Sequence, residues 1–145
     1  MADSRPIADE EVILKRVRAN DPHCIQPYGD GYRATSFAVR IPPGQEGSSC
    51  SRLRLTSPRT LLSLVTLQGG SSDDYLVCRM RVTDVRALNL EVLALPTDED
   101  PGHCEIRKTV GQHYPASVWS RLAKTTRILT AAEVASIEAG DELVE

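Results

Sequence analysis

Alternating apolar and polar positions along the chain predict several β-strands. The clearest pattern covers residues 75–82, where Cys78, Met80 and Val82 share one face and the intervening arginines share the other. The pattern therefore predicts a strand in this segment.

A second alternating segment covers residues 49–55. Its pattern predicts a strand with Leu53 and Leu55 on the inner face and Arg52 and Arg54 on the outer face.

Three further strands are predicted at residues 12–17, 31–39 and 90–95, and a shorter one ends at Ile106. The acidic residues 9–11 would also suit the start of a helix. The β-branched run that follows them favours a turn that leads into a strand. Residues 19–32 are rich in Asn, Asp, Pro and Gly, which predicts a loop.

Start and stop signals predict the helices. Ser57 and Pro58 are typical of an N-cap and a first helical residue, and Gly69 and Gly70 should end that helix. Residues 115–124 predict a second helix, and residues 127–129 predict a short extended segment. Thr130 and Glu133 have the spacing of a capping box and predict a third. Residues 83–88 predict a short helical turn.

Strands and helices are interspersed without a regular βαβ rhythm. We therefore predict an α+β fold, a single compact domain with one mixed or antiparallel sheet and about three helices. The expected boundaries are a flexible lead at residues 1–8, the domain at residues 9–138 and an acidic tail at residues 139–145.

Composition excludes some classes of protein. Hydrophobic residues make up 41% of the 145 residues, which is enough for a core, and the net charge of -3 gives no global attraction for nucleic acid. No apolar run approaches a membrane span, and the N-terminus lacks the apolar stretch of a signal peptide. We expect a cytoplasmic protein with no membrane partner.

The four cysteines include no Cys-x-x-Cys pair, so buried free thiols are expected. The dipeptides His23-Cys24 and His103-Cys104 suggest zinc as the alternative. Adjacent residues of an extended chain point to opposite faces, which disfavours two ligands from one pair. We therefore expect no metal and no cofactor.

The turn between residues 95 and 106 carries the most distinctive polar group, His103. It would hold the turn by hydrogen bonding, bind a ligand, or act as a base for Cys104. The first role is favoured, because neighbouring side chains diverge.

A second candidate site contains Arg33, which is followed by Thr35 and Ser36. An arginine beside small hydroxyl groups can hold a phosphate or a carboxylate. Arg16 or Arg18 would join this site if the first strand paired with that segment. The alternative is a surface arginine on a strand.

A third feature is a series of arginines that would make one sheet face basic if their strands were neighbours: Arg52, Arg54, Arg79, Arg81 and Arg86. Such a face can bind RNA or an acidic protein, although it lacks interleaved aromatic residues. A solvated face with salt bridges is the favoured interpretation. No compact enzyme signature is present.

The order of several short motifs resembles that of a group of short, mostly uncharacterised bacterial proteins. The match covers roughly residues 10–129 and includes the segments 14–17, 31–38, 49–51, 100–104 and 119–123. The chain has Gly102 where the group favours Ala. The resemblance implies a shared fold and brings no established activity.

The first part of the chain is also similar to the opening of ADP-ribosyltransferase-type toxin domains, with an early Arg, then Gly-x-Arg and a hydroxyl-bearing strand. The similarity implies that Arg16, Arg33 and Ser36 hold the phosphates and ribose of NAD. Glu105 is then the candidate for the catalytic glutamate.

The function we expect is a non-catalytic binding or accessory module of a bacterium, beside a toxin or a defence enzyme. A protein partner is expected, with nucleic acid as a less supported one. The alternative is a small enzyme that handles NAD or a nucleotide. The binding residues would be Arg16, Arg33, Ser36 and His103, and Arg33 and His103 would lie at the same edge of the sheet.

Overall fold

The computed structural model describes residues 5–140 and shows an α+β domain whose main sheet is antiparallel. The strands are β1 (Val12–Arg18), β2 (Ile25–Tyr28), β3 (Gly31–Ala34), β4 (Gly47–Arg52), β5 (Tyr75–Arg81), β6 (Leu90–Ala94), β7 (His103–Lys108) and β8 (Arg127–Ile128). The helices are α1 (Ser36–Val39), α2 (Pro58–Leu67), α3 (Val82–Arg86), α4 (Ala116–Thr125) and α5 (Ala131–Glu138), with a 3-10 turn at Ser72–Asp74.

Six strands form the main sheet in the order β6-β7-β4-β1-β5-β8, and β2 pairs with β3 in a separate hairpin. This architecture confirms the predicted fold class. It contains five helices within the described residues, where about three were expected.

β1 lies inside the sheet, between β4 and β5. Its alternating side chains divide the hydrophobic core in two, because Ile13 and Val17 face the larger cluster and Leu14 faces the smaller one. Residues of α1, α3 and α4 contribute to the larger cluster, and residues of α2 and α5 contribute to the smaller. The sheet is therefore covered on both faces, and each face has its own surface clefts.

The local start signals of two helices are confirmed. Ser57 accepts a hydrogen bond from the backbone N–H of Thr60 at 3.2 Å, and Pro58 is the first residue of α2. Thr130 and Glu133 form the predicted capping box, with both N–H···O distances at 3.1 Å. These contacts satisfy N–H groups that a helix leaves unpaired at its start.

The prediction for residues 19–39 is wrong in two respects. The expected loop contains β2, and the expected strand ends at Ala34 and is followed by α1. Pro27 lies within β2, where a proline is tolerated because a two-stranded hairpin leaves one edge unpaired. Gly29, with φ of 57°, allows the turn between the two strands.

The prediction for residues 49–55 is also wrong at its end. β4 stops at Arg52, and Leu53 and Leu55 lie in the following turn. Arg52 is 0% exposed instead of facing solvent. Its guanidinium donates to both carboxylate oxygens of Glu11 at 2.8 Å, which explains how this charge is buried.

The arginine series does not form one exposed basic face. β1 separates β4 from β5, so the strands that carry Arg52 and Arg79 are not neighbours. Both arginines are buried. Arg86 donates to the Ile7 carbonyl at 2.6 Å and pairs with Asp9. This sheet therefore offers no broad basic platform for RNA through that series.

Part of the expected flexible lead belongs to the domain. Ile7 is 3% exposed and lies in the larger core cluster, and the carbonyl of Arg5 accepts a hydrogen bond from Arg52 at 3.0 Å. Residues 1–4 of the lead and residues 141–145 of the acidic tail lie outside the described residues. Between residues 5 and 140, none of the helices is long and apolar enough to cross a membrane.

Candidate functional sites

One cleft opens beside β8, between the β2–β3 hairpin and the end of α4. It has a volume of about 470 Å³. The hairpin reaches this position because β3 packs against β8 and α1 packs against α4. We call it the hairpin cleft, and its lining residues are Gln26, Tyr28, Tyr32, Arg33, Ala34, Thr35, Ser36, Ser120, Ala123, Lys124, Thr126, Arg127 and Ile128.

The hairpin cleft is basic. Arg33 comes from β3, Lys124 from the last turn of α4 and Arg127 from β8. No aspartate or glutamate is among the described residues that line the cleft. Arg127 forms an ion pair with Glu133 at 2.9 Å outside the lining, which leaves Arg33 and Lys124 as the cations available to a ligand.

Two exposed tyrosines accompany these cations. Tyr28 is 65% exposed and Tyr32 is 56% exposed. The Arg33 guanidinium lies 5.3 Å from the centre of the Tyr28 ring and also donates to Gln26 Oε1 at 3.3 Å. These contacts hold Arg33 beside the ring of Tyr28. A ligand that carries both a ring and an acid group would require this arrangement.

Ser36 lines the same cleft at the start of α1. The hydroxyl of the preceding Thr35 donates to the His23 carbonyl. Arg33 and Ser36 are therefore brought together, as the sequence predicted.

A second cleft lies on the other face of the sheet, between α2 and the turn of residues 97–103. It has a volume of about 220 Å³. We call it the His103 cleft, and its lining residues are Leu14, Lys15, Arg16, Ser49, Cys50, Ser51, Leu61, Leu64, Gln68, Thr97, Glu99, Asp100 and His103. The apolar side chains come mainly from α2, and the polar side chains come mainly from the sheet and the turn.

Asp100 holds the turn against β4. Its side chain is buried and accepts hydrogen bonds from the Ser51 and Thr56 hydroxyls at 2.5 Å each and from the Gly102 N–H at 3.1 Å. A Cβ added at Gly102 would collide with the Thr56 hydroxyl. The turn therefore has room only for glycine at this position.

His103 both holds the turn and lines the cleft. Its ring Nδ1 lies 2.9 Å from the Leu95 carbonyl, and its backbone N–H donates to the Asp100 carbonyl at 3.1 Å. A carbonyl only accepts hydrogen bonds, so Nδ1 carries the proton of this contact. Nε2 of the neutral ring is then an acceptor.

Arg16 lines the same cleft from β1. Its guanidinium carbon lies 5.9 Å from the centre of the Tyr75 ring. Its Nη1 atom is buried and has no hydrogen-bond partner within the described residues 5–140. A buried donor without a partner is uncommon, which makes this nitrogen a candidate ligand contact.

The four predicted site residues therefore divide between two clefts. Arg33 and Ser36 line the hairpin cleft, and Arg16 and His103 line the other. From β8, beside the hairpin, to β7, which carries His103, there are four strand-to-strand steps. At the usual strand spacing this is about 19 Å. The expectation of a shared Arg33 and His103 site is wrong.

The arrangement implied by the ADP-ribosyltransferase resemblance is not assembled in the two clefts. Arg16 does not join Arg33 and Ser36. Glu105 lies on β7 and accepts a hydrogen bond from Arg107 at 3.0 Å.

His103 and Cys104 do not form a base and nucleophile pair. His103 lies opposite Ser51 and Cys104 lies opposite Cys50, so their side chains are on different faces of β7. Burial raises the pKa of the Cys104 thiol, and it raises the pKa of Cys50 to about 11 and of Cys78 to about 12. These buried thiols are poor nucleophiles. Among the described residues, no group of three or more His, Cys, Asp or Glu side chains is placed to hold a metal ion.

Sequence reasoning missed Tyr28, Lys124 and Arg127. Tyr28 lay in a segment that was interpreted as a loop. Lys124 lay in a predicted helix and Arg127 in a predicted extended segment, and the sequence contained no sign of what either side chain would face.

The bacterial source, the cytoplasmic location and the protein partner stay predictions, as do both family resemblances. Comparisons of the chain with protein families, with curated proteins and with solved structures found no match.

Proposed function

We propose that this protein is a binding module for a nucleotide, either free or within a single strand of nucleic acid, and that the hairpin cleft is its site. The observation that carries the proposal is the combination of cations and exposed tyrosines in a cleft whose described lining contains no carboxylate. A nucleotide contains both of the groups that this lining favours, a phosphate and a flat aromatic base.

The charges support phosphate binding. Arg33 and Lys124 approach the cleft from different elements, so a phosphate between them would contact both walls. An arginine guanidinium and a lysine ammonium are the usual phosphate partners in proteins. The net charge of the chain is -3, so the attraction is local to this cleft and does not come from the whole molecule.

The aromatic residues support base stacking. The chain has only six Tyr, Phe and Trp residues, and three of them are exposed: Tyr28, Tyr32 and Phe37. All three lie in the hairpin or in α1. Arg40 lies 4.2 Å from the centre of the Phe37 ring, so the basic and aromatic surface continues beyond the cleft. Exposed aromatic residues beside cations are typical of surfaces that bind single strands.

The size of the cleft supports the binding of a small ligand. A cleft of about 470 Å³ lies within the range of small-molecule sites. We therefore propose a binding module, which is the first of the two functions expected from the sequence.

Fluorescence anisotropy with labelled oligo(U) and oligo(dT), and calorimetry with AMP, ATP and NAD, should detect binding by one of these probes. Tyr28→Ala should weaken that binding by about 5- to 100-fold, because one base loses its stacking surface. Arg33→Gln should weaken it by about tenfold or more and should reduce its salt dependence, because one phosphate contact is lost.

Arg59→Gln is the matched control, because Arg59 is an exposed arginine of α2 outside the cleft lining. It removes the same charge and should leave affinity nearly unchanged. Binding of the oligonucleotides alone would assign the site to a strand, and binding of mononucleotides alone would assign it to a free nucleotide. If the wild-type protein binds none of the probes, or if Arg33→Gln and Arg59→Gln have equal effects, the proposal is contradicted.

A further inference from the structure

We infer that the ligand of the hairpin cleft is a single-stranded nucleic acid of several nucleotides, and that the strand continues from the cleft over α1. The observation behind this inference is a second pair of an aromatic ring and an arginine, Phe37 and Arg40, which directly follows the lining residue Ser36. The inference rests on the proposed nucleotide site and names which of its two forms the protein binds.

The second pair has the same composition as the pair inside the cleft. The Arg40 guanidinium carbon lies 4.2 Å from the centre of the Phe37 ring, and the Arg33 guanidinium carbon lies 5.3 Å from the centre of the Tyr28 ring. Phe37 is 47% exposed. An exposed ring beside a cation can stack a base while the cation contacts the neighbouring phosphate.

The number of rings and cations favours a strand over a free nucleotide. A mononucleotide has one base, and NAD has two rings. The surface presents three exposed rings and three cations that form no ion pair within residues 5–140: Tyr28, Tyr32, Phe37, Arg33, Lys124 and Arg40. A strand supplies a base and a phosphate at every step, so it can use all of them.

The two pairs are close enough for one short strand. Ser36 lines the cleft and Phe37 is the next residue, so their Cα atoms are about 3.8 Å apart. Arg33 and Phe37 are separated by four residue steps, which limits the distance between their Cα atoms to about 14 Å. A strand of three or four nucleotides reaches across such a distance, since one OB-fold contacts about 4–16 nucleotides.

The charges of the hairpin favour a path towards α1. Asp30 is exposed at the turn between β2 and β3, where it would repel a phosphate that passed over the tip. On the α1 side, the ring of His23 lies 5.8 Å from the Phe37 ring and extends the aromatic surface. The Asp21 carboxylate on that side accepts hydrogen bonds from the His23 N–H at 2.8 Å and from the Cys24 thiol at 3.5 Å, so it is held within its own loop.

The test is a competition series in fluorescence anisotropy with the wild-type protein and labelled oligo(U). The competitors are UMP, NAD and unlabelled oligo(U) of two, four and eight nucleotides. Affinity should rise by about tenfold or more from UMP to the strand of four, because further bases stack outside the cleft. Oligo(dU) of four nucleotides separates the two sources of a strand: weaker binding than oligo(U) assigns RNA, and equal binding assigns the shared base and phosphate chemistry.

Phe37→Leu tests the second ring directly. It should weaken binding of the strand of four by about fivefold or more and leave UMP binding unchanged, because UMP is held inside the cleft. Its melting temperature should stay close to that of the wild type, since leucine keeps an apolar side chain at this half-exposed position. Tyr28→Ala, in contrast, should weaken the binding of both ligands.

Arg40→Gln tests the cation outside the cleft. It should reduce the slope of log affinity against log salt concentration by about 0.7 for the strand of four, because one phosphate contact is lost. UMP binding should not change. Arg59→Gln is again the matched control and should leave the slope unchanged, since Arg59 lies on α2 outside the cleft lining.

Three results would overturn the inference and leave the proposed nucleotide site in place. They are equal affinity for UMP and the strand of four, binding of that strand that Phe37→Leu leaves unchanged, and tighter binding of NAD than of that strand. In each case Tyr28→Ala and Arg33→Gln would still weaken the binding of the smaller ligand. Absence of binding by every competitor and by the labelled strand would contradict the proposed function and this inference together.

Discussion

Replacing Arg52 with methionine should lower the free energy of unfolding by about 3 to 5 kcal/mol, because it leaves the Glu11 carboxylate without its cation. The Arg52 side chain is 1% exposed and that of Glu11 is 11% exposed. Two hydrogen bonds of 2.8 Å join the guanidinium to the carboxylate. Thermal and urea unfolding should show the loss, and the melting temperature should fall by roughly 10 °C.

The double variant Glu11→Met with Arg52→Met is the informative control. A buried ion pair gains little over apolar residues of similar volume, although removal of one partner costs much. We therefore expect the double variant to be more stable than Arg52→Met alone. If the single and double variants are equally destabilised, the loss comes from the packing of Arg52 and not from the uncompensated charge.

The same pair gives the protein a dependence on acid pH. Burial acts to raise the pKa of Glu11, but the hydrogen bonds from Arg52 and from the Ala8 N–H outweigh it and hold the pKa below its ordinary value of 4.5. A lowered pKa in the folded state stabilises the protein above the ordinary value, and this contribution is lost as the pH falls through the lowered value. Glu11→Gln should therefore be least stable relative to wild type near neutral pH, and the difference should shrink below about pH 4.5.

Replacing Asp100 with alanine should cost about 3 to 5 kcal/mol in unfolding experiments, the second largest effect that we expect. Ser51 and Thr56 are 1% and 2% exposed, so their hydroxyl groups would be left without the acceptor that they now share. The Gly102 N–H would lose its acceptor as well. Each unsatisfied buried donor costs about 1–3 kcal/mol.

Asp100→Asn tests whether hydrogen bonding or charge explains that loss. Its amide oxygen can still accept from Thr56 and Gly102, and its NH₂ group can donate to the Ser51 hydroxyl. The asparagine variant should therefore lose much less stability than the alanine variant. An equal loss in both would show that the negative charge matters more than the three hydrogen bonds.

Local sequence signals determined several elements correctly. The Ser57 N-cap with Pro58, the Thr130 and Glu133 capping box, and the alternation in β5 each depend on residues within a few positions of one another. The physical reason is that capping contacts and the alternation of side chains in a strand are set by the backbone of that segment. Such features can be predicted before any tertiary contact is known.

The errors arose where residues distant in sequence meet. Arg52 looked like an outward-facing arginine of an alternating strand. Its burial is explained by contacts with Glu11 and with the Arg5 carbonyl, which lie 41 and 47 positions earlier. The hairpin of β2 and β3 was missed because its proline and glycines resemble a loop, while its position depends on contact with β8 nearly a hundred residues later.

The sequence by itself determined the α+β class, the central strands and which polar groups were candidates for a site. The tertiary structure alone decided how those groups combine. The strand order places β5, β1 and β4 between the hairpin and His103. Arg33 therefore lines one cleft with Lys124, and Arg16 lines the other cleft with His103. Strand order depends on long-range pairing, and the pattern within one strand does not specify its neighbour.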